Sequence, residues 1–143
     1  MARAASAIVL HASTVAFRGR GVLICGGSGS GKSALALNLM ALGGGLIADD
    51  RTEVTPRDGA VIASCPPTIS GRIEARFIGI LAAETHPPAP LGLVVDLDHT
   101  EDQRLPPLRW RDIAGIRLPL LHNVALPHFP AAIRQYLLQG RQD

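Results

Sequence analysis

Aromatic residues are scarce in this chain: Phe, Trp and Tyr together make up 3% of its 143 residues. A core built from it must be aliphatic, and a nucleic-acid surface of interleaved aromatic and basic residues is excluded. Charge of one sign is lacking as well. Lys and Arg number 14 against 12 Asp and Glu, a net charge of +2, and the arginines are scattered with no basic run. No nucleic-acid partner is expected on those grounds. Cysteine is nearly absent. Cys25 and Cys65 have no metal-ligand spacing, and nothing in them points to an oxidising compartment. Cys25 closes an apolar run and reads as a small buried residue; Cys65 precedes Pro66-Pro67 and reads as inert. No apolar stretch reaches the roughly 18 residues of a membrane span, and Met1 to Leu10 does not make a signal peptide. A cytoplasmic protein with no membrane partner is the expectation. His86, His99, His122 and His128 have no mutual spacing that suggests a metal site.

What is present is a globular composition, 47% apolar and 18% charged, enough for one domain with a proper core. The chain is organised around Gly26-Gly27-Ser28-Gly29-Ser30-Gly31-Lys32-Ser33. This matches the phosphate-cradling pattern G-x-x-x-x-G-K-[ST] at every fixed position. Gly21–Cys25 before it reads as a buried strand, and Lys32–Leu42 after it as a helix of good helix formers, stopped by Gly43-Gly44-Gly45. A glycine loop between strand and helix turns backbone N–H groups toward an anion. Lys32, taken as an exposed loop lysine, would reach the β- and γ-phosphates, and the Ser33 hydroxyl would sit on Mg²⁺. A flexible Gly/Ser linker would not be flanked this way.

Strand signals outnumber helix signals. Thr14–Phe17 and Gly21–Cys25 pair around the turn Arg18–Gly21, and Glu53–Pro56 pairs with Ala60–Ala63 around Asp58-Gly59. Leu46-Ile47-Ala48 is a short buried strand, Thr68–Gly71 a loop, and Arg72–Leu81 one extended segment. His86–Pro90 is a rigid surface turn, Leu91–Asp96 a buried strand, Asp98–Pro107 a mobile loop, and Gly115–Leu120 an edge strand. Pro130 opens a last helix, Ile133, Tyr136 and Leu137 line its inner face, and Gly140 stops it. The fold class is a strand-rich α/β domain with hairpins and few helices, spanning 1–143.

The acids carry the chemical information. Asp49-Asp50 follows the loop by one helix and one strand, which sets the pair beside the loop at the ligand-binding edge of the sheet. There one aspartate can serve Mg²⁺ and the other the acceptor hydroxyl, against the plain alternative of a solvated turn. Asp96, after Leu93-Val94-Val95, competes as the metal acid of ordinary phosphate-loop ATPases, with Asp98 a weaker rival. Glu74 and Arg76, two apart in an extended segment, share a face and could serve metal and phosphate, or form a surface ion pair. His11 alone reads as structural.

The loop, the run Leu46-Ile47-Ala48-Asp49-Asp50, the segment Ile73–Ile80 and His11 upstream together resemble the catalytic domain of HPr kinase/phosphorylase, from about His11 to Leu105. The resemblance implies the fold of the phosphoenolpyruvate carboxykinase catalytic core with its phosphate loop. It implies ATP and Mg²⁺ as cofactors and phosphoryl transfer to a serine of the carrier protein HPr, with phosphorolysis as the reverse reaction. It further implies that Lys32 clamps phosphates, Ser33 and Glu74 hold metal, Asp50 acts as base with support from Asp49, and His11, Arg76 and Arg104 belong to the active site. A homo-oligomer, the family's hexamer, is implied too. The family's N-terminal domain is not found in 1–143, so the chain resembles the short form. The family's late Pro-Gly-Arg-Asn run, tied to dephosphorylation, reads Leu120-Leu121-His122-Asn123, which implies a competent kinase and a poor phosphorylase, unless His122 stands in for the arginine. The other readings kept open are a small-molecule phosphate-loop kinase, with Arg104, Arg109 and Arg111 as its lid, and a non-catalytic nucleotide-binding regulatory module.

Overall fold

A computed structural model describes residues 7–143. In chain order its elements are β1 (Ile8–Leu10), β2 (Ala12–Phe17), β3 (Arg20–Cys25), α1 (Lys32–Ala41), β4 (Gly45–Ala48), β5 (Thr52–Arg57), β6 (Ala60–Ser64), β7 (Arg72–Ala75), β8 (Gly79–Ala82), β9 (Ala89–Thr100), β10 (Arg109–Ile113), β11 (Ile116–Asn123) and α2 (Phe129–Gln139). Nine of the strands form one sheet in the order β1-β5-β6-β9-β3-β2-β4, with β11 beside β9 and β10 beside β11, while β7 and β8 pair only with each other.

Tight turns set much of this topology. Arg18-Gly19, Asp58-Gly59 and Ala114-Gly115 all have positive φ, and each joins strands whose flanking residues pair directly: Phe17 with Arg20, Arg57 with Ala60, Ile113 with Ile116. Two consecutive left-handed residues match the twist of an antiparallel hairpin. The first two hairpins follow the sequence expectation. The third does not. Gly115 lies in the turn, and Ile116–Leu120 belongs to β11, which pairs antiparallel with β10 and parallel with β9. It is an inner strand, and β10 takes the edge.

The strand β9 is the hub, paired with β6, β3 and β11. It begins at Ala89, which is buried, so the end of the expected His86–Pro90 turn is strand. It also runs on to Thr100, into the segment expected as a loop. Opposite Gly21 and Val22 its register shifts. Leu91 therefore faces one side of the sheet with Val94, while Leu93, Val95 and Leu97 face the other. A one-residue slip exchanges faces because side chains alternate along a strand.

Both helices pack on a single face. Leu35, Ala36 and Leu39 of α1 and Phe129, Ile133 and Leu137 of α2 meet Val15, Val22, Ile24 and Val95 in one cluster. Tyr136, expected on that face, is only partly buried beside it. The opposite face closes over Ala12, Leu23, Ile47, Val54, Val61 and Val94. Aliphatic residues dominate both clusters, as the shortage of aromatics requires. After Ala41 the helix α1 ends in a Schellman motif. The N–H of Gly43 donates to the carbonyl of Met40 and that of Gly44 to the carbonyl of Leu39, with Gly43 at φ 103.

The span Arg72–Leu81 is a hairpin and not one extended segment: Arg76–Ile78 forms its turn, with Phe77 at φ 68. Thr68 and Ile69, the start of the expected loop, join Pro67 in a single 3-10 turn. The chain then returns along β4, where Leu46 N–H donates to Glu84 and His86 N–H to Leu46. That return fixes the β7–β8 hairpin over the end of β4. No helix among the described residues is long and apolar enough to cross a membrane.

Candidate active site

The strand β3 ends at Cys25, and the glycine loop 26–31 carries the chain into α1. Gly29 sits at φ 81, where a side chain would be strained. A Cβ there would also lie 4.0 Å from a guanidinium nitrogen of Arg76, which reaches across from the hairpin turn. Lys32 departs from the expected exposed lysine. It is 7% exposed, and its Nζ donates to the carbonyls of Gly26 (2.9 Å) and Gly27 (3.1 Å). The ammonium braces the loop from within.

The strands β3 and β4 run parallel, each antiparallel to β2 between them, so β4 ends level with the loop. Asp49 and Asp50 stand at that end. Asp49 Oδ1 accepts from the hydroxyls of Ser33 (2.7 Å) and Ser13 (2.9 Å), and its Oδ2 accepts from the Glu74 N–H (3.0 Å). Asp50 has φ 67, a left-handed conformation in which Asp is tolerated. Its N–H donates to Ser13 Oγ at 3.0 Å, and its carboxylate meets His11 Nε2 at 2.5 Å. Both side chains of that pair remain more than half exposed, at 54% and 57%. Ser13, fully buried in β2, thus bridges both aspartates. The sequence reading missed it: a serine among β-prone residues carries no signal until β4 is laid beside it.

These residues line one cleft of about 490 Å³, a volume in the range of small-molecule sites. His11, Ser28, Gly29, Gly31, Lys32, Ser33, Asp49, Asp50, Glu74 and Arg76 all reach it. Glu74 arrives from β7 and Arg76 from the turn after it, so the shared-strand-face argument fails for Arg76 while both still meet at the cleft. Arg104 does not. It is exposed on the segment between β9 and β10 and takes no part in the cleft wall.

Of the rival acids, Asp96 is engaged elsewhere and Asp98 sits on an amide of the loop itself. Asp96 is 4% exposed, accepts from Arg111 at 2.7 Å, and meets His99 Nδ1 at 2.8 Å. Burial pushes its carboxyl up, but the Arg111 guanidinium, the Asp98 N–H and His99 outweigh burial and hold it at about 2. Asp98 accepts the Gly27 N–H through both oxygens, at 3.1 and 3.2 Å. Cys25 is half-buried, not buried as expected, and burial pushes its thiol up, which keeps it protonated and unreactive. His122 pairs in register with Asp96 and stacks on His99 at 5.4 Å, outside the cleft.

Oxygen donors from Ser33, Asp49 and Glu74 suit a hard divalent cation, which needs only one or two carboxylates when substrate phosphates and water complete its shell. No cluster of three or more His, Cys, Asp or Glu with metal-holding geometry occurs among the described residues, so a cation here would depend on a bound phosphate ligand.

Fold and cleft together define a strand-rich α/β domain with two helices, whose glycine loop and paired acids open on one face. The chain belongs to the family described as the HPr serine kinase C-terminal domain, whose family model matches residues 2–103. It is 44% identical over 72 residues to the HPr kinase/phosphorylase of Clostridium botulinum (strain Eklund 17B / Type B), covering 50% of this chain and 24% of that protein. With the HPr kinase/phosphorylase of Chromobacterium violaceum it shares 35% identity, over 99% of this chain and 51% of the relative. The chain therefore spans between a quarter and a half of these relatives' length. Among solved structures, the HPr(Ser) kinase/phosphatase from Coxiella burnetii superposes with a TM-score of 0.74 at 25% identity, over 90% of this chain and 92% of that one.

Proposed function

We propose that this chain is a protein-serine kinase domain that transfers the terminal phosphoryl group of ATP to a serine of an HPr-type phosphocarrier protein, with Mg²⁺ as cofactor. The observation that carries this reading is the meeting of Ser33, Asp49, Asp50 and His11 at one cleft beside the glycine loop. Phosphoryl transfer is mainly positioning and charge stabilisation, and it needs phosphate clamps, a metal and a group for the acceptor's proton. The loop amides and Lys32 are the clamps in this reading. Lys32 exchanges its two loop carbonyls for phosphate oxygens, and Arg76 brings a guanidinium over the loop for charge on the transferring group. Ser33, Asp49 and Glu74 would hold Mg²⁺, which would supply charge neutralisation.

Asp50 is the base. Its carboxylate faces the cleft, held by His11 and by its own N–H on Ser13. As the serine oxygen bonds to phosphorus and the bond to ADP breaks, the serine proton passes to Asp50. The relatives' names support HPr as the acceptor. So does the cleft rim: Phe77, Ile78 and Ile80 on the hairpin are all exposed, and Ile78 lines the cleft. Apolar exposure beside a polar cleft suits a protein acceptor better than a small polar one. The arginines of a small-molecule kinase lid are not assembled. Arg109 is paired with Glu101, Arg111 with Asp96, and Arg104 stands off the cleft. Only the forward direction is proposed, because His122 brings no charge to the cleft.

The test is incubation with labelled ATP and a purified HPr-type protein, followed by mapping of the labelled residue. One phosphoserine on the carrier is the expected product. Label reaching only a small molecule, or no transfer at all, overturns the reading.

A further inference from the structure

A second cavity of about 200 Å³ lies on the other side of the glycine loop. The loop leaves β3, which has β2 and β4 on one side and β9 and β11 on the other. The acidic cleft is on the β4 side. The second cavity is on the β9–β11 side, walled by Leu97 of β9, by Asn123 and the segment after β11, and by Leu35 and Asn38 of α1. Ser30 and Gly31 of the loop also face it, and Gly31 is common to both spaces.

We infer that this cavity receives the base of the nucleotide phosphate donor, an adenine-type ring. The inference rests on the phosphate reading of the loop given above. The reacting end of the donor must point to Asp50, where the acceptor attacks. Its phosphate chain then crosses the loop, and the nucleoside leaves on the opposite side, where this cavity opens. The size agrees: about 200 Å³ lies below the range of whole-ligand pockets and suits a flat ring system with the ribose outside.

The chemistry agrees as well. Leu35, Leu97, Val124 and Phe129 give apolar walls for the ring faces, and among the described residues no charged side chain lines the cavity. Asn38 and Asn123 bring side-chain amides, whose paired donor and acceptor match the donor–acceptor edge of adenine. Ser30 Oγ is buried without a hydrogen-bond partner among the described residues. A buried hydroxyl left unpaired is costly unless a ligand completes it.

The test measures the affinity of the full chain for MgATP and for inorganic pyrophosphate by calorimetry, in wild type and in Ala125→Trp and Asn38→Ala. Both positions are exposed, and Ala is a better helix former than Asn, so neither change threatens the fold. The expected result is a rise of about tenfold or more in Kd for ATP in Ala125→Trp, with pyrophosphate affinity unchanged and Asn38→Ala intermediate. Unchanged ATP affinity in Ala125→Trp, or equal weakening for both ligands, overturns the inference. Wild type binding neither ligand overturns the phosphate reading itself and this inference with it. An azido-adenine ATP photolabel should map to residues 123–130; labelling of residues 74–78 instead places the nucleoside in the acidic cleft and overturns it.

Discussion

Asp49 and Asp50 are neighbours in sequence with opposite surroundings, and the proposed roles differ accordingly. Asp49 accepts three hydrogen bonds, from Ser33, Ser13 and Glu74, which fixes its oxygens in place. Asp50 stays 57% exposed with His11 Nε2 beside its carboxylate, open to an incoming hydroxyl. Asp50→Asn keeps the left-handed backbone, since Asn tolerates it as Asp does, but cannot accept the proton. Transfer should fall by about 10²–10⁴-fold with the melting temperature unchanged. A steady-state rate near wild type would remove Asp50 as base. Ser13 acts through both acids: its hydroxyl donates to Asp49 and accepts the Asp50 N–H. Ser13→Ala should lower kcat by about 10- to 100-fold and leave KM for ATP nearly unchanged, with Ser13→Thr recovering part of the rate. A change confined to KM for ATP would make Ser13 part of nucleotide binding instead. The loop and the aspartate pair were legible in the sequence because their spacing is fixed along the chain. Ser13 was not, because its partners lie 36 and 37 residues away across a strand pairing.

Element by element, legibility followed how local the signal was. Asp58-Gly59 announces its hairpin in two residues. Ala114-Gly115 does not, because Ala is a poor occupant of φ 50, and the inner position of β11 was hidden with it. The β7–β8 hairpin was hidden differently: Phe77 at its turn is a bulky residue at φ 68 and is 102% exposed. Such a residue is strained and packs on nothing among the described residues. If the proposed kinase reading holds, its place beside the cleft makes it an apolar contact for the protein acceptor. Phe77→Asn relieves the strain and should hold or raise stability, by up to about 1 kcal/mol. KM for the carrier protein should rise several-fold while pyrophosphate and ATP affinity stay put. Sedimentation of the same variant checks the alternative: a smaller assembly with KM unchanged would assign Phe77 to self-association.

At the scale of the whole molecule, the sheet is closed on the β9 side by a clasp that the sequence hid. Asp96, which the spacing offered as a metal acid, is tied to Arg111 of β10, two strands away across β11. The apolar run before Asp96 was read correctly as a buried strand; its partner arginine lies 15 residues on and becomes a neighbour only through the β10–β11 turn. Two expectations follow. Transfer by Asp96→Asn should stay within a few-fold of wild type, because Asp96 lies outside the cleft; a loss as deep as that of Asp50→Asn would restore it as the metal acid. Stability should respond instead, and with a definite sign. The folded carboxyl sits at about 2, below the ordinary value of about 3.9 in an unfolded chain. A depressed acid stabilises the fold fully above the unfolded value and loses that contribution as pH falls through the folded one. The shift corresponds to roughly 2–3 kcal/mol, a sizeable share of a domain's total stability of roughly 5–15 kcal/mol. Urea melts of wild type should therefore lose about that much between about pH 4 and pH 2. Asp96→Asn should start lower at pH 7, with Arg111 left unpaired, and lack this descent, so that the two curves converge toward pH 2. Curves that stay parallel through that window would show that the clasp does not hold the sheet together.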